Sequence, residues 1–275
     1  MDVRTGLRAF PAVHYCAEMS LVELTREGAV ALARLDRPPV NALNLELAND
    51  LVAAFRECQD PDIRAVVVTG QPNFAAGADI KGFKEQMDSG AGNDATAGLL
   101  VEAVATLESL KKPTIAVVHG FALGGGLELA MGADFRYLAD DARVGQPEIL
   151  LGLIPGAGGT QRLARLIGYQ RAKKLVLSGR QVPAGEALEI GLADQVASVD
   201  EILPLAMRDA AEMASMATRA LAEAKGVLNR TGVNNDFGSD MAREAEAFQR
   251  LFTTDDAREG VLAFIEKRKA EFKGA

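Results

Sequence analysis

The sequence predicts an α/β fold followed by an all-α C-terminal region. Short runs rich in β-branched residues, at 64–70 and 114–118, alternate with stretches whose apolar residues recur at helical spacing, a succession typical of α/β architecture. The intervals between these runs are too irregular for a plain barrel. Beyond about Leu205 only the helical spacing remains. We therefore expect a core over residues 19–205 and a helical region over residues 206–275.

The first elements along the chain are a hairpin and a helix. Residues 21–24 and 29–35 flank a turn at 26–28, which predicts two antiparallel strands. Pro38 and Pro39 end the second strand because proline supplies no backbone donor. Apolar residues recur at helical spacing over 45–59, with Asn44 as the N-cap, and a buried strand follows at 64–70.

The cycle of strand, loop and helix then repeats. A loop of small residues at 73–79 precedes a helix over 97–109 and a buried strand over 114–118. We expect a helix over 124–138, a short strand beginning at Val144 and a helix over 161–166. In the last region, helices are expected at 207–216, 220–229, 243–251 and 256–269, and their apolar stripes need a covering partner.

Composition narrows the classes of function. The chain has 275 residues, 48% hydrophobic and 25% charged, with a formal net charge of −8, which argues against a nucleic-acid-binding protein because such proteins present a basic face. Cys16 and Cys58 cannot form a disulfide framework, and no Cys/His cluster has zinc-ligand spacing. The longest uncharged apolar stretch, 114–127, is too short to span a bilayer. A cytoplasmic location in a bacterium is therefore expected, without membrane association.

Residues 1–18 show no periodicity and precede the first strand-like run. We expect a disordered N-terminal extension there. A weak organelle transit peptide is the alternative, since the segment carries Arg4 and Arg8 but also the acidic Asp2 and Glu18.

Two glutamates stand among apolar neighbours beside glycine-rich loops. Glu128 follows the glycines at 124–126 in the first turn of a predicted helix, and Glu148 lies between Pro147 and three aliphatic residues. A carboxylate in apolar surroundings is costly unless it is paired, hydrogen-bonded or protonated. Structural alternatives exist, since the glycine run can make a tight turn between a strand and a helix and the helix dipole favours an acid such as Glu128 in the first turn. Two such glutamates together nevertheless form a plausible acid/base pair.

Three loops resemble the active-site loops of the crotonase (enoyl-CoA hydratase) family. They are FAAGADIK at 74–81, HGFALGGGLELA at 119–130 and GQPEILLGLIPGAGGTQR at 145–162. The likeness runs from Met19 to the C terminus, and the segments 254–260 and 264–269 are similar to the tail of hydratases proper. It implies the crotonase fold, a spiral of ββα-type repeats with a C-terminal all-α oligomerisation region.

The resemblance implies syn addition of water to a 2-enoyl-CoA, giving a 3-hydroxyacyl-CoA. The backbone N–H groups of Ala78 and Gly125 would form an oxyanion hole around the thioester carbonyl. Glu128, as carboxylate, would take the proton of the water that attacks C3, and Glu148, as carboxylic acid, would protonate C2. Neither a cofactor nor a metal is implied, because the thioester makes C3 electrophilic and coenzyme A is part of the substrate. Fatty-acid β-oxidation is one pathway that uses such chemistry.

The resemblance also implies contacts with the coenzyme A moiety. The implied contacts are Ala42 and Leu43 near the pantetheine and adenine, Ala76, Asp79, Ile80 and Lys81 along the site, and Phe264 and Lys267, which match positions that reach a neighbouring subunit's coenzyme A. For Lys81 the alternative is a solvated surface lysine. For Phe264 and Lys267 the alternative is a helix face that carries ordinary charges. The lone core histidine, His119, is interpreted as structural.

The apolar stripes of the helical region predict a homotrimer or a dimer of trimers. Two further functions stay open. A Δ3,Δ2-enoyl-CoA isomerase or a hydroxyacyl-CoA hydrolase of the same family is disfavoured by the presence of both Glu128 and Glu148, since relatives of those kinds tend to keep one carboxylate. A non-catalytic acyl-CoA-binding protein is the alternative of another class.

Overall fold

The structure is a computed structural model that describes residues 20–80, 82, 84, 94–231 and 237–275. Its strands form two sheets. The larger sheet has six strands in the order β1 (Val22–Glu27), β2 (Val30–Leu35), β3 (Ala65–Gly70), β4 (Thr114–Val118), β6 (Phe135–Ala139) and β9 (Gln195–Ala197). The smaller sheet has three strands in the order β5 (Phe121–Leu123), β7 (Arg143–Gly145) and β8 (Gln181–Pro183).

Helices follow most of the strands. In chain order they are α1 (Leu45–Glu57), α2 (Asp94–Ser109), α3 (Gly125–Gly132), a 3-10 helix (Glu148–Leu151), α4 (Gly159–Ile167), α5 (Tyr169–Ser178), α6 (Ala184–Glu189), α7 (Ile202–Ala214), α8 (Thr218–Leu228), α9 (Phe237–Phe252) and α10 (Asp255–Glu266). Within the described ranges, no helix has the length and apolar character needed to cross a membrane.

Local sequence accounts for the first half of the fold. The expected hairpin is confirmed, because β1 and β2 pair antiparallel with Glu27 opposite Val30. The expected N-cap is also confirmed, since Asn44 Oδ1 accepts a hydrogen bond from the Leu47 N–H at 2.9 Å. β3 and β4 are buried along their whole length, as parallel strands covered on both faces must be.

A repeated path brings the three glycine-rich loops together. The chain runs from a strand of the larger sheet to a strand of the smaller sheet and then into a helix, as in β4, β5 and α3. Ala75, after β3, forms a bridge with Ala122 in β5, and Leu123 in β5 pairs with Gly145 in β7. The loops after β3, β5 and β7 therefore lie side by side.

The helix expected over 124–138 is wrong in its second half. Helix α3 ends at Gly132, and residues 135–139 form strand β6 between β4 and β9. Asp134 fixes the break, because its carboxylate accepts hydrogen bonds from the N–H and the hydroxyl of Thr114 at 2.8 and 2.9 Å. These contacts direct the chain back along β4, so sheet pairing overrides the helical spacing.

The larger sheet separates two apolar clusters. One lies between the sheet and α1, α2 and α3, and the other lies on the opposite face, where Ile202, Ala206, Ala210 and Ala214 of α7 pack against the strands. The boundary expected near residue 205 falls inside α7, and the expected extension at 1–18 lies outside the described residues.

The last two helices carry an exposed apolar surface. Phe248 and Phe252 of α9 are 60% and 73% exposed, and Val261 and Ile265 of α10 are 61% and 68% exposed. Side chains of this kind gain free energy when a second surface removes them from water.

Candidate active site

One cavity of about 410 Å³ brings the two glutamates and the glycine-rich loops together. The cavity has apolar walls formed in part by Leu43, Leu100, Leu123 and Leu153. Among the described residues that line it, the ionisable ones are Glu128 and Glu148. Seven of the residues singled out in the sequence line this cavity: Leu43, Ala76, Ala78, Ile80, Gly125, Glu128 and Glu148.

Ala78 and Gly125 lie on two loops that touch each other. A methyl group on Gly126 would lie 2.1 Å from the Ala75 carbonyl oxygen, and one on Gly77 would lie 3.1 Å from that of Leu123. Only glycine permits this approach. Among the backbone hydrogen bonds of the described residues, neither the Ala78 N–H nor the Gly125 N–H donates to a carbonyl. Gly125 begins α3, so its N–H has no acceptor within the helix.

Glu128 is held by the loop that precedes α4. Its side chain is 2% exposed, and its Oε1 accepts hydrogen bonds from the Ala157 and Gly159 N–H groups at 2.6 and 2.7 Å. Burial raises the pKa of Glu128, while these N–H donors and the charge of Arg162 act to lower that pKa. The two N–H donors favour the ionised carboxylate, and both bind Oε1. The other oxygen, Oε2, lies on the side of Gly125, where a methyl group on that glycine would be 4.0 Å away.

Glu148 begins the 3-10 helix on another wall of the cavity. Burial, opposed by its own backbone N–H and supported by the charge of Glu128, raises the pKa of Glu148 to about 7. The buried amide of Gln146, turned so that its nitrogen faces Glu148, lies 2.8 and 3.1 Å from the two carboxylate oxygens. The reverse orientation would let the amide oxygen accept from a protonated Glu148, so Gln146 can serve both protonation states.

Four other predicted contacts, Ala42, Asp79, Phe264 and Lys267, are not among the residues that line this cavity. Arg37 donates to the Ala42 carbonyl and to Asp79, each at 2.8 Å. Phe264 on α10 is 85% exposed, and Lys267 ends that helix in a left-handed conformation with φ 56°. Lys81 lies outside the described residues.

His119 lies behind the loops rather than in the cavity lining. Its ring is 2% exposed, and its Nε2 is 3.2 Å from Gln71 Nε2. Burial lowers the pKa of His119, which favours the neutral imidazole. The placement agrees with the structural interpretation of this residue.

Sequence reasoning missed the partners of both glutamates. Ala157 and Gly159 were visible only as part of a glycine-rich loop, and the helix start that follows them was the available signal, since the first N–H groups of a helix seek an acceptor. Gln146 directly precedes the Pro-Glu pair, but nothing local indicates that its amide faces Glu148.

The arrangement suits proton transfer beside a developing oxyanion. Two carboxyl groups with different surroundings can hold different protonation states at one pH, and unpaired N–H groups can stabilise negative charge on a carbonyl oxygen. In the described part of the chain, no group of three or more His, Cys, Asp or Glu side chains could hold a metal ion.

Comparisons with known proteins show the family to which the chain is similar. The family model described as "Enoyl-CoA hydratase/isomerase" matches residues 25–275. A short-chain-enoyl-CoA hydratase from Clostridium acetobutylicum is 42% identical over 92% of this chain and 98% of its own length. A crotonyl-CoA hydratase from Syntrophomonas wolfei is 41% identical over 90% of this chain and 96% of its own length.

A solved structure confirms the expected fold class. The enoyl-CoA hydratase from Bacillus anthracis superposes with a TM-score of 0.85 at 34% sequence identity, covering 93% of this chain and 100% of the other. The mixed α/β core with its C-terminal helices is therefore the fold that the three loops led us to expect.

Proposed function

The chain belongs to the enoyl-CoA hydratase/isomerase family, and we propose that it is an enoyl-CoA hydratase, a carbon–oxygen lyase that adds water across the 2,3 double bond of a 2-enoyl-CoA. The observation that carries the proposal is a pair of carboxyl groups, the buried Glu128 and the half-buried Glu148, lining one cavity with Ala78 and Gly125. Similarity to the short-chain-enoyl-CoA hydratase and the crotonyl-CoA hydratase supports it.

The oxyanion would form between two loops. Attack of water at C3 moves negative charge onto the thioester oxygen, and the Ala78 and Gly125 N–H groups are the proposed donors. Donors fixed in advance in a site that excludes water can each contribute about 2.7–4 kcal/mol to stabilising such charge. The close contact of the two loops through Gly77 and Gly126 supports a fixed separation of the donors.

The two glutamates would divide the proton transfers. Two N–H donors to Glu128 favour its carboxylate form, which suits a base that takes a proton from the attacking water. A pKa of about 7 for Glu148 suits an acid that protonates C2 near neutral pH. The charge of Glu128 helps to keep that proton on Glu148, so the pair titrates as a unit. No cofactor takes part in the proposed reaction.

Coenzyme A would enter along the segment that holds Ala76, Gly77, Ala78 and Ile80, which line the cavity. Ala42, Asp79 and Lys81 stay proposed contacts for the same moiety. We further propose a homotrimer or a dimer of trimers in which Phe264 and Lys267 meet the coenzyme A of a neighbouring subunit. The exposed apolar side chains of α9 and α10 support this assembly.

The test is the loss of enoyl-thioester absorbance with crotonyl-CoA, followed for the native protein and for Glu128→Gln and Glu148→Gln. Each variant should turn over ~10²–10⁴-fold more slowly, the contribution of one general acid or base. Glu189→Gln on α6, an exposed glutamate, is the matched control and should keep the native rate.

Other outcomes point to other functions. Tight binding of enoyl-CoA without turnover, unaffected by either substitution, would favour an acyl-CoA-binding protein. Migration of a 3,4 double bond without hydration would favour the isomerase, and release of free coenzyme A would favour the hydrolase.

A further inference from the structure

We propose that Arg162, anchored by Glu108, is a positioning residue that holds the loop binding Glu128 and so keeps this glutamate oriented as the base. The consequence for turnover rests on the proposed hydratase function. The placement of Glu128 itself does not, because it follows from contacts within the protein.

Arg162 lies behind the loop that binds Glu128. Ala157 donates its N–H to Glu128 Oε1 at 2.6 Å, and its carbonyl oxygen accepts a hydrogen bond from Arg162 Nη1 at 2.8 Å. Ala157 is thus held on one side by the carboxylate and on the other by the guanidinium. Because the next donor, the Gly159 N–H, is two residues on, fixing Ala157 also limits the movement of the second donor.

Gly158 leaves room for the Arg162 guanidinium against the loop backbone. This glycine has φ +93°, and a methyl group on it would lie 2.2 Å from Arg162 Nη1. The guanidinium therefore packs directly against the backbone of the loop, which a side chain at position 158 would prevent.

Glu108 anchors the arginine. Arg162 Nη2 and Nε donate to the Glu108 carboxylate at 2.6 and 3.4 Å, and the side chains are 18% and 35% exposed. Glu108 lies near the end of α2, which also supplies Leu100 to the cavity wall. A planar guanidinium can bond a carboxylate and a carbonyl at once, whereas a lysine presents a single point of charge.

The charges around Glu128 affect its pKa, so the pH dependence of turnover can report on Arg162. The groups that face it are Glu148 from the 3-10 helix and Arg162 from α4, and Arg162 is in turn paired with Glu108 from α2. Loss of the Arg162 charge would leave the effect of burial less opposed, so Glu128 would bind its proton more tightly.

The experiment compares Arg162→Gln, Arg162→Lys and Glu108→Gln across a range of pH, with Arg165→Gln as the matched control. Arg165 lies one turn further along α4 with an exposed side chain. Arg162→Gln should lower kcat roughly 10- to 100-fold, the value of one charge-assisted hydrogen bond, and should move the acidic limb of the kcat profile to higher pH. Arg162→Lys should restore part of the rate, Glu108→Gln should lower it less, and Arg165→Gln should match the native protein.

Two further measurements separate positioning from a general loss of structure. In the Glu128→Gln background, Arg162→Gln should add little, because residues that act as a unit are not additive. The Glu128 carboxylate band in infrared difference spectra, native minus Glu128→Gln, should titrate at higher pH in Arg162→Gln. A pH-independent fall that adds to that of Glu128→Gln, or an unmoved carboxylate titration, would overturn the proposal. If the native protein does not hydrate crotonyl-CoA, the hydratase function fails while the infrared titration still decides the role of Arg162.

Discussion

Replacement of Gly159 by alanine tests how closely the Glu128 carboxylate is fitted to its donors. A methyl group at this position would lie 2.7 Å from the side-chain amide of Gln146, 2.8 Å from Pro155 Cβ and 2.9 Å from Glu128 Oε1. All three distances are shorter than van der Waals contact, so at least one neighbour must move. Gln146 is fully buried and Glu128 is 2% exposed, which leaves little room for either to do so.

Two effects determine how much Gly159→Ala lowers stability and kcat. Overpacking of a tight site costs about 1–3 kcal/mol of stability. Displacement of Glu128 weakens its 2.7 Å hydrogen bond from the Gly159 N–H, and a hydrogen bond to a charged group contributes about 1.5–3 kcal/mol. If that contribution is lost from the transition state, kcat falls ~10- to 150-fold.

The assay is hydration of crotonyl-CoA together with the melting temperature of each variant. Gly185→Ala is the control, because Gly185 lies in α6 with no atom within 4 Å of the added methyl group. The control should keep the native rate, with a melting temperature equal to or slightly above the native one, because alanine favours a helix more than glycine does. Native kcat and native stability in Gly159→Ala would refute the placement of Glu128 against this loop. A lower melting temperature with native kcat would show that the loop can shift without disturbing the base.

Two further predictions concern stability. The pKa of Glu148 rises from 4.5 in the unfolded chain to about 7 in the folded protein, so the native state binds more protons between these values and loses stability as pH rises through them. Glu148→Gln should therefore raise the melting temperature at pH 8 more than at pH 5, and an equal shift at both would contradict the raised pKa of Glu148. Arg136 is 4% exposed and donates to Asp194 at 2.9 Å and to the Leu192 carbonyl at 2.8 Å. Arg136→Met should therefore lower the free energy of unfolding, measured in urea, by about 3 kcal/mol. This value is near the lower limit for breaking a buried ion pair, because the Asp194 side chain is 35% exposed. A loss below about 1 kcal/mol, the level of a surface ion pair, would be inconsistent with that burial.

Much of the core was predictable because its signals are local. The alternation around the turn at 26–28 and the β-branched runs at 64–70 and 114–118 correspond to β1, β2, β3 and β4. Asn44 was recognisable because a cap acts on N–H groups only three residues away.

The strands that escaped prediction are short or depend on their neighbours. β5, β8 and β9 have three residues each, too few to display an alternating pattern. β6 continues the helical spacing of α3 in sequence, and only its pairing with β4 and β9 makes it a strand.

The candidates for the catalytic groups were evident from the sequence alone. Glu128 and Glu148 stood out because an acid among apolar neighbours needs a reason, and the resemblance of three loops supplied one. Their protonation preferences were decided by the tertiary structure. The Gly159 N–H that binds Glu128 is 31 residues away along the chain, and the Glu108 carboxylate that anchors Arg162 is 54 residues from it. Periodicity records which side chains face a core, whereas partners at such separations meet only after the sheets and helices have packed.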